Sequence, residues 1–495
     1  MAKLVELGRE QTPAHSRKSA VSDAWIFFGL LTMLVWAPLP LGSNRTWAIG
    51  ILLLFAVVLL VGTCVVWRRH ADEAVQQLNL FRWPLGLLGS MVMLSWLQTL
   101  ALPAAWVNAL SPMAATAQAP AEWMTLSLDV FQTRTMASLS FVYFTIFLVT
   151  VLAVRDAARL ERVAQTLVFS GVLQVVIGTL LLSAKADYRI FFVKVAHVQM
   201  LGTYINQNHL AGYLCMCLSV GIGLMLARLN TGNVRHTGWR SRLNAVIEFL
   251  LSSKMRLRLL LVVMVIGLVL TRSRMGNAAF FSALLAVGFL AIILMRKNAP
   301  QTIALVASLV VIDVLVVGTW VGLEKVVERI QGTEVMASAG GKSESIEART
   351  EAARTALALV KDFPLVGTGG GSFYNLFLSY RTPDYGDNYV DHTHNDFVEI
   401  ATDYGLLGLG ILGALVASSL WVVLRVMRRR KSPLPRGIAF GVAMSMVALL
   451  IHSTVDFNLQ IPANALTMVV ILAMGWVTQA LPSPRTRKVA EQGGI

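Results

Sequence analysis

The stretch Asp391-His392-Thr393-His394-Asn395-Asp396 sets two histidines among carboxylates, directly before a long apolar run. An imidazole titrates near neutral pH, so it can take a proton from a hydroxyl when a carboxylate fixes its tautomer. Asp391, Asp396 and Glu399 are all close enough in sequence to do this. A second interpretation is that Asn395 and Asp396 cap the following helix while the histidines face water. The pattern therefore indicates either proton transfer or a helix cap.

Arg272 and Arg274 lie in a very short connection between two apolar runs. An arginine at the middle of a bilayer costs about 2.5–3.5 kcal/mol on insertion scales and less near the edge, so this placement asks for an anionic partner. The planar guanidinium matches phosphate oxygens and stays charged at any working pH. The alternative is that both side chains snorkel to the lipid headgroups.

A second cationic and amide-rich strip consists of Arg189 and Lys194, followed by Asn206, Asn208 and His209. It is suited to the same anionic ligand. Interfacial anchoring of the chain is the alternative.

The glycine cluster Gly367-Thr-Gly369-Gly370-Gly371 has no preceding strand and no following Lys-Ser/Thr, so a tight turn is favoured over a nucleotide phosphate cradle. The aspartates and histidines that follow it match neither an EF-hand nor a zinc helix, and the sequence predicts no metal. Cys64, Cys215 and Cys217 fall inside apolar runs, where a thiol packs as a small hydrophobe.

The chain that must position these residues has the composition of a membrane protein. Of its 495 residues, 56% are hydrophobic and only 14% are charged, and the mean hydropathy is +0.65. Soluble globular proteins carry about 25% charged residues, so that class is excluded.

Twelve apolar runs have about the length that spans a hydrocarbon core of about 30 Å as a helix. They cover 24–42, 46–67, 83–101, 136–154, 163–182, 209–228, 257–271, 277–295, 302–322, 398–424, 437–453 and 462–480. Lipid offers no partner to a backbone amide, so each run must be helical. The sequence predicts an all-α fold, a polytopic membrane helix bundle of about 12 transmembrane helices in a single integral-membrane domain, 1–495. In the ninth run, Asp313 is a costly lone carboxylate that is expected to be functional or paired.

The net charge of +15 reflects topology rather than a nucleic-acid partner. With the amino terminus inside, most Lys and Arg fall on inside connections, and clusters such as Arg428-Arg429-Arg430-Lys431 lie at helix ends. This is the positive-inside pattern, and it predicts that both termini are cytoplasmic.

The longest outward segment, 323–397, is expected to hold one short helix from about Ser343 to Lys361, with Ser343 or Ser345 as its cap. The segment is too short for a separate domain with a full core, so it is expected to form a partly helical cap on the membrane face. No catalytic role is predicted for the outward segment 102–135.

Four ordered motifs resemble the bacterial O-antigen ligase and O-antigen polymerase superfamily of polytopic membrane glycosyltransferases. His394-Asn395 is followed by nine residues and then Gly405-Leu-Leu-Gly408, which resembles the pattern that marks the ligases. Arg349 through the turn Pro364-Leu-Val-Gly367-Thr-Gly369 is similar to an arginine helix and turn of the family. The segments 202–209 and 452–462 are also similar to recurrent segments of these proteins, and the motifs together cover roughly 260 residues.

The resemblance implies transfer of a glycan from an undecaprenyl-pyrophosphate donor to an acceptor sugar hydroxyl, on the periplasmic face of the bacterial inner membrane. It implies no nucleotide sugar, no cofactor and no metal, and 323–397 would be the large periplasmic loop. His394 would be the general base, and attack from the opposite face would invert the anomeric carbon. The substrate-binding residues expected for pyrophosphate or glycan are Arg272, Arg274, Arg189, His392, Asn395 and Asn208.

The acceptor is left open by the sequence. A repeat-unit polymerase for O-antigen or exopolysaccharide would use a second lipid-linked unit, a ligase would use the lipopolysaccharide core, and a protein-directed oligosaccharyltransferase is a rarer third. The segments 206–209 and 452–462 favour a polymerase. A transporter or flippase for lipid-linked glycans is the alternative of another class, but it predicts charges through the depth of many helices, and here Asp313 is nearly alone.

Overall fold

The computed structural model describes residues 14–184, 188–190, 193–195, 199–229, 252–295, 346–380 and 390–482. Eleven of the twelve predicted runs form helices there. The ninth run, 302–322, and its Asp313 lie outside the described residues. Eight of the described helices are long and apolar enough to cross a membrane. Together with the near absence of strand, this confirms the prediction of an all-α polytopic membrane bundle.

The helices are α1 (Ala14–Trp36), α2 (Thr46–Trp67), α3 (Ala71–Leu80), α4 (Arg82–Leu97), α5 (Ala104–Leu110), α6 (Pro112–Ala117), α7 (Val130–Ala153), α8 (Ala157–Ala184), α9 (Gln207–Arg228), α10 (Ser253–Leu270), α11 (Arg274–Leu294), α12 (Ile346–Asp362), α13 (Phe373–Phe377), α14 (Asp396–Arg429), α15 (Pro433–His452) and α16 (Pro462–Ala480). Short 3-10 turns cover Leu41–Ser43, Arg68–His70 and Asn458–Gln460. The strands form two small antiparallel pairs, β1 (Leu102–Pro103) with β2 (Trp123–Met124) and β3 (Tyr188–Ile190) with β4 (Val193–Val195).

Local sequence explains where the helices begin and end. The first run was predicted to continue to residue 42, but α1 ends at Trp36 because Pro38 and Pro40 follow and cannot continue a helix. Side-chain oxygens of Asn206, Ser273 and Asn395 accept backbone N–H bonds and start α9, α11 and α14.

Helix α9 lies at the centre of the bundle, and its apolar segment is completely buried within the protein. It packs against α15, where Gly223 meets Gly437 and Gly441. A Cβ on Gly223 would lie 2.3 Å from the Gly437 carbonyl oxygen, so the two backbones are in direct contact. Small residues at helix interfaces allow this approach in membrane proteins.

The two ends of the bundle differ in chemistry. At one end, Asp23 is paired with Arg155 and Arg159, and Glu161 is paired with Arg228. At the other end, backbone hydrogen bonds join the polar connections, including those from Met200 to Leu270 and from Asp396 to Ser453. We call this second end the polar end.

A second, smaller hydrophobic core lies at the polar end. It joins segment 102–128 to segment 346–380 through buried residues that include Val107, Leu126, Ala356, Phe363 and Phe373. The predicted short helix is present as α12, and segment 102–135 contributes packing surface to this cap.

The cap is fixed to α14 at a kink. Gly405 has φ 64° and ψ −173° inside that helix, and a Cβ there would lie 2.3 Å from the Leu365 carbonyl oxygen. The glycine cluster completes the contact, since the Gly369 and Gly371 amides donate to the Asp403 carbonyl and carboxylate at 3.0 and 2.7 Å. Gly370 donates to Gln98 Oε1 at 3.3 Å. These amides are therefore used in a turn, as the sequence favoured.

Candidate active site

The site is built around the ring of Phe457, which lies just beyond α15. The His392 ring stacks on it, with ring centroids 4.0 Å apart and an interplanar angle of 20°. His394 and His209 meet the same ring edge-on, at 5.0 and 4.5 Å. Histidines from two distant segments, 392–394 and 206–209, are thus brought together by a third, 452–462. Sequence similarity had marked all three segments without indicating that they touch.

His392 is held by a buried carboxylate. Its Nδ1 lies 2.5 Å from Glu399 Oε1, and the Thr393 amide and hydroxyl donate to Glu399 Oε2 at 2.9 and 3.1 Å. Burial alone lowers the pKa of His392, but the charge of Glu399 and its hydrogen bond more than offset this, and the pKa rises to about 9. His392 is therefore a cation at neutral pH. Of the three carboxylates near His392 in the sequence, Glu399 is the one that pairs with it.

His394 is half-buried and has a left-handed backbone, with φ 51°. Such a conformation is uncommon outside glycine, and it persists only where the surroundings impose it. The turn around it is fixed by the Thr393 hydroxyl, which accepts from the Asn395 amide and shares its single proton between the Asn395 carbonyl at 2.7 Å and Glu399 Oε2 at 3.1 Å.

Asn395 and Asp396 attach this turn to the bundle. Asn395 caps α14 and donates through Nδ2 to the Thr454 carbonyl at 3.0 Å. Asp396 is fully buried and accepts from the Ser453 hydroxyl at 2.6 Å and from the Leu459 amide. The capping interpretation therefore holds for Asn395 and is wrong for Asp396, whose carboxylate bonds the segment after α15, while the histidines gather around Phe457.

The loop that carries Arg272 and Arg274 lies beside the start of α9. Ser273 Oγ donates to Asn208 Oδ1 at 2.7 Å and accepts the Gly276 amide, so it both caps α11 and ties the two helix starts together. Both arginine side chains are exposed. Arg272 has φ 56°, a second left-handed residue at the site.

Arg189 pairs across the small hairpin with Lys194. Its side chain lies outside the described residues, so its predicted contact with a ligand stays a prediction.

Three candidate functional residues, Asp456, Phe457 and His209, were not singled out from the sequence. Asp456 is fully buried, with its oxygens 3.6 Å from His209 Nε2 and 3.8 Å from His452 Nε2. Phe457 holds the histidine rings, and His209 had been noted only as part of a cationic strip. The signal available was the segment His452-Ser-Thr-Val-Asp456-Phe457, which places two ionisable residues at the end of an apolar run.

Residues 259–412 match the family model described as O-antigen ligase. The matched part contains both arginines of the α10–α11 loop and both histidines that precede α14. No curated protein shows significant similarity to the chain. The match agrees with the ordered motifs, and both support the O-antigen ligase and O-antigen polymerase superfamily of membrane proteins.

Proposed function

We propose that the protein is a glycosyltransferase that moves a glycan from undecaprenyl pyrophosphate to a sugar hydroxyl. The observation that carries the proposal is the convergence of three helix starts at one site. α9 and α11 begin together at the Ser273–Asn208 bond, and α14 begins beside the histidines that share Phe457 with α9. Helix N-termini present unpaired amides and a partial positive charge, which favour an anion such as pyrophosphate.

The cationic side chains strengthen this argument. Arg272 and Arg274 are exposed next to two of the helix starts, and His392 is a cation beside the third. Guanidinium groups bind phosphate oxygens in a fixed geometry. In this proposal the charge of the departing pyrophosphate is neutralised by side chains and helix ends, so the reaction needs no metal.

His394 is proposed as the general base. It would take the proton of the acceptor hydroxyl as the new bond to the anomeric carbon forms. The old bond from that carbon to the pyrophosphate oxygen breaks, and the electron pair leaves with undecaprenyl pyrophosphate. Attack opposite the leaving group inverts the anomeric carbon. General-base catalysis typically contributes about 10²–10⁴-fold.

The charge distribution supports a periplasmic site in the inner membrane, with both termini in the cytoplasm. The opposite end of the bundle carries Arg155, Arg159 and Arg228, and α14 ends there with Arg428 and Arg429. Inside connections are enriched in such residues. The lipid tail of the donor would lie along the helices in the membrane.

A repeat-unit polymerase for O-antigen or exopolysaccharide is the activity proposed first, because the 206–209 and 452–462 segments that favour it lie at the site. An O-antigen ligase acting on lipopolysaccharide core is the second candidate, because the description of the matching family model favours it.

The test uses the purified protein in nanodiscs with lipid-linked repeat units extracted from the source bacterium, with and without lipopolysaccharide core. A ladder of product sizes on a gel in the absence of core supports the polymerase. A single shift in gel mobility that requires core supports the ligase. Absence of glycan transfer in both arms, from protein that remains folded, would overturn the proposal.

A further inference from the structure

A groove lies on the outside of the bundle between α1 and α8, and none of its lining residues belongs to the candidate active site. It has a volume of about 640 Å³, within the range of about 300–1,000 Å³ that holds an organic ligand. Its walls are largely apolar and include Leu31, Val35 and Trp36 of α1. Phe28 and Phe169, which also line it, are 55% and 57% exposed, so this α1–α8 groove is open to the surroundings of the bundle.

Those surroundings are the hydrocarbon of the membrane. Helix α8 is long and apolar enough to cross a bilayer, and α1 contains the apolar run 24–42. The lining residues of α1 extend from Phe28 to Trp36, eight residues and about 12 Å at the helical rise of about 1.5 Å per residue. Half of a hydrocarbon core of about 30 Å is about 15 Å. The groove therefore has about the depth of one leaflet, which suits an acyl chain rather than a water-soluble ligand.

One end of the groove is polar and carries a cation. Arg162, Gln165 and Thr166 of α8 line this end. Arg162 lies about one helical turn after Arg159, which pairs with Asp23 at the end of the bundle opposite the polar end. The cation therefore lies towards a membrane edge, and the apolar part of the groove runs from there into the membrane.

Arg162 is the cation left without a carboxylate at this edge. Three carboxylates lie around the start of α8 in the described structure, and each of them pairs with another arginine. The pairs are Asp23 with Arg155 and Arg159, Asp156 with Arg159, and Glu161 with Arg228. Arg162 is exposed, and its guanidinium makes no ion pair or hydrogen bond among the described residues. An arginine near the bilayer is stabilised by an anionic partner, and its planar guanidinium matches phosphate oxygens.

We propose that the α1–α8 groove binds one anionic phospholipid, with an acyl chain between the two helices and the phosphate on Arg162. Charge complementarity selects this occupant, because a zwitterionic headgroup carries its own cation beside the phosphate. The donor lipid of the proposed reaction is a different ligand, since its pyrophosphate would bind at the polar end and Arg162 lies towards the other end. A ligand that binds only the folded state stabilises it, so the phospholipid holds α1 against α8. This inference does not depend on the proposed reaction.

The experiment uses native mass spectrometry of the full-length protein in detergent micelles. The micelles contain equal amounts of phosphatidylglycerol and phosphatidylcholine with the same acyl chains. The wild type is expected to retain one phosphatidylglycerol in preference to phosphatidylcholine. Arg162→Gln is expected to reduce this preference about tenfold, the effect of one charge-assisted hydrogen bond. Thr32→Phe adds a ring at an exposed position that lines the groove, keeps the charge, and is expected to reduce the retention of both lipids.

Each variant has a matched control. Arg425→Gln removes an exposed arginine of α14 near the same end of the bundle, and Arg425 does not line the groove. Val61→Phe adds a ring at an exposed position of α2 outside the groove. Both controls should retain phosphatidylglycerol as the wild type does. Equal losses in Arg162→Gln and Arg425→Gln would show a general attraction to surface charge and overturn the inference.

Three other results also overturn it. The first is equal retention of the two phospholipids by the wild type. The second is a protein dimer that Thr32→Phe dissociates, because a second copy would then fill the groove. The third is retention of undecaprenyl pyrophosphate in place of phosphatidylglycerol, abolished by the same substitution.

If Arg162→Gln does not fold, the pair Thr32→Phe and Val61→Phe decides. Loss of phosphatidylglycerol in the first variant alone supports the site, and equal retention in both is the contrary result. None of these measurements involves glycan transfer, so a failure here is distinct from a failure of the proposed function.

Discussion

Two histidines that are separated by one residue are given different environments. Glu399 and the Thr393 amide and hydroxyl fix His392 as a cation stacked on Phe457, whereas His394 meets the same ring edge-on from a left-handed backbone. A site that binds a pyrophosphate and also accepts a proton needs both a permanent cation and a base. Different surroundings are the usual way in which one site obtains two such roles.

Replacement of Glu399 by Gln tests how His392 is charged. We expect the pKa of His392, measured by NMR of labelled histidine, to fall from about 9 toward its ordinary 6.5, because the offsetting carboxylate charge is removed while burial remains. A pKa raised by folding stabilises the protein fully below about pH 6.5, and this stabilisation is lost as the pH rises through about 9. The melting temperature of the wild type should therefore decline across that window, and the decline should be smaller in the variant.

Glu351→Gln is the control, because Glu351 is an exposed glutamate on α12. An unchanged pKa of His392 in Glu399→Gln would show that another group holds the proton.

Among the helices, one capping residue also positions the site. Ser273 starts α11 and also bonds Asn208, so one hydroxyl orders a helix start and positions the arginine loop. Ser252 caps the start of α10 through a bond from the Met255 amide, at the end of α10 that is far from the arginine loop.

Alanine substitution of these two caps separates stability from ligand binding. Loss of either helix-capping hydroxyl should lower the free energy of unfolding by about 1 kcal/mol, measured by chemical unfolding in detergent. Only Ser273→Ala should also weaken binding of undecaprenyl pyrophosphate severalfold, because only that change frees the arginine loop. Equal ligand affinity in both variants would show that the Ser273 bond has no role in the site.

The kink of α14 provides a second test at this scale. Gly405→Ala places a side chain on a backbone with positive φ and against the Leu365 carbonyl, so we expect destabilisation of at least about 1–3 kcal/mol and separation of the cap from α14. Gly410→Ala in the same helix has open space around it and should stabilise by about 0.5–1 kcal/mol. Thermal unfolding of both variants decides, and equal melting temperatures would contradict the packing described for the kink.

At the scale of the whole molecule, the apolar runs were predictable because span length and hydrophobicity are local properties. Run 462–480 coincides with α16, and run 209–228 differs from α9 by two residues. The gathering of histidines on Phe457 was not predictable in this way, since it joins residues about 250 positions apart along the chain. Which carboxylate holds His392 was also undetermined, because three lie within seven residues of it and the farthest of them, Glu399, is the one that pairs with it.

The orientation of the bundle is tested by labelling of single cysteines in a variant without Cys64, Cys215 and Cys217. Thr116→Cys lies at the cap, and Lys431→Cys lies at the opposite end, and both positions are exposed. A membrane-impermeant maleimide added to cells with a permeabilised outer membrane should label residue 116 at once. Residue 431 should react only after the inner membrane is opened. The reverse pattern would place the site in the cytoplasm.

In the proposed reaction His394 accepts the proton of the acceptor hydroxyl. This role is tested by the initial rate of glycan transfer by His394→Ala, measured with lipid-linked repeat units. His70→Ala, which changes a histidine outside the site, is the control. We expect transfer to fall about 10²–10⁴-fold in His394→Ala, while binding of undecaprenyl pyrophosphate stays within a few-fold of the wild type and His70→Ala stays active. Transfer by His394→Ala at the wild-type rate would contradict it.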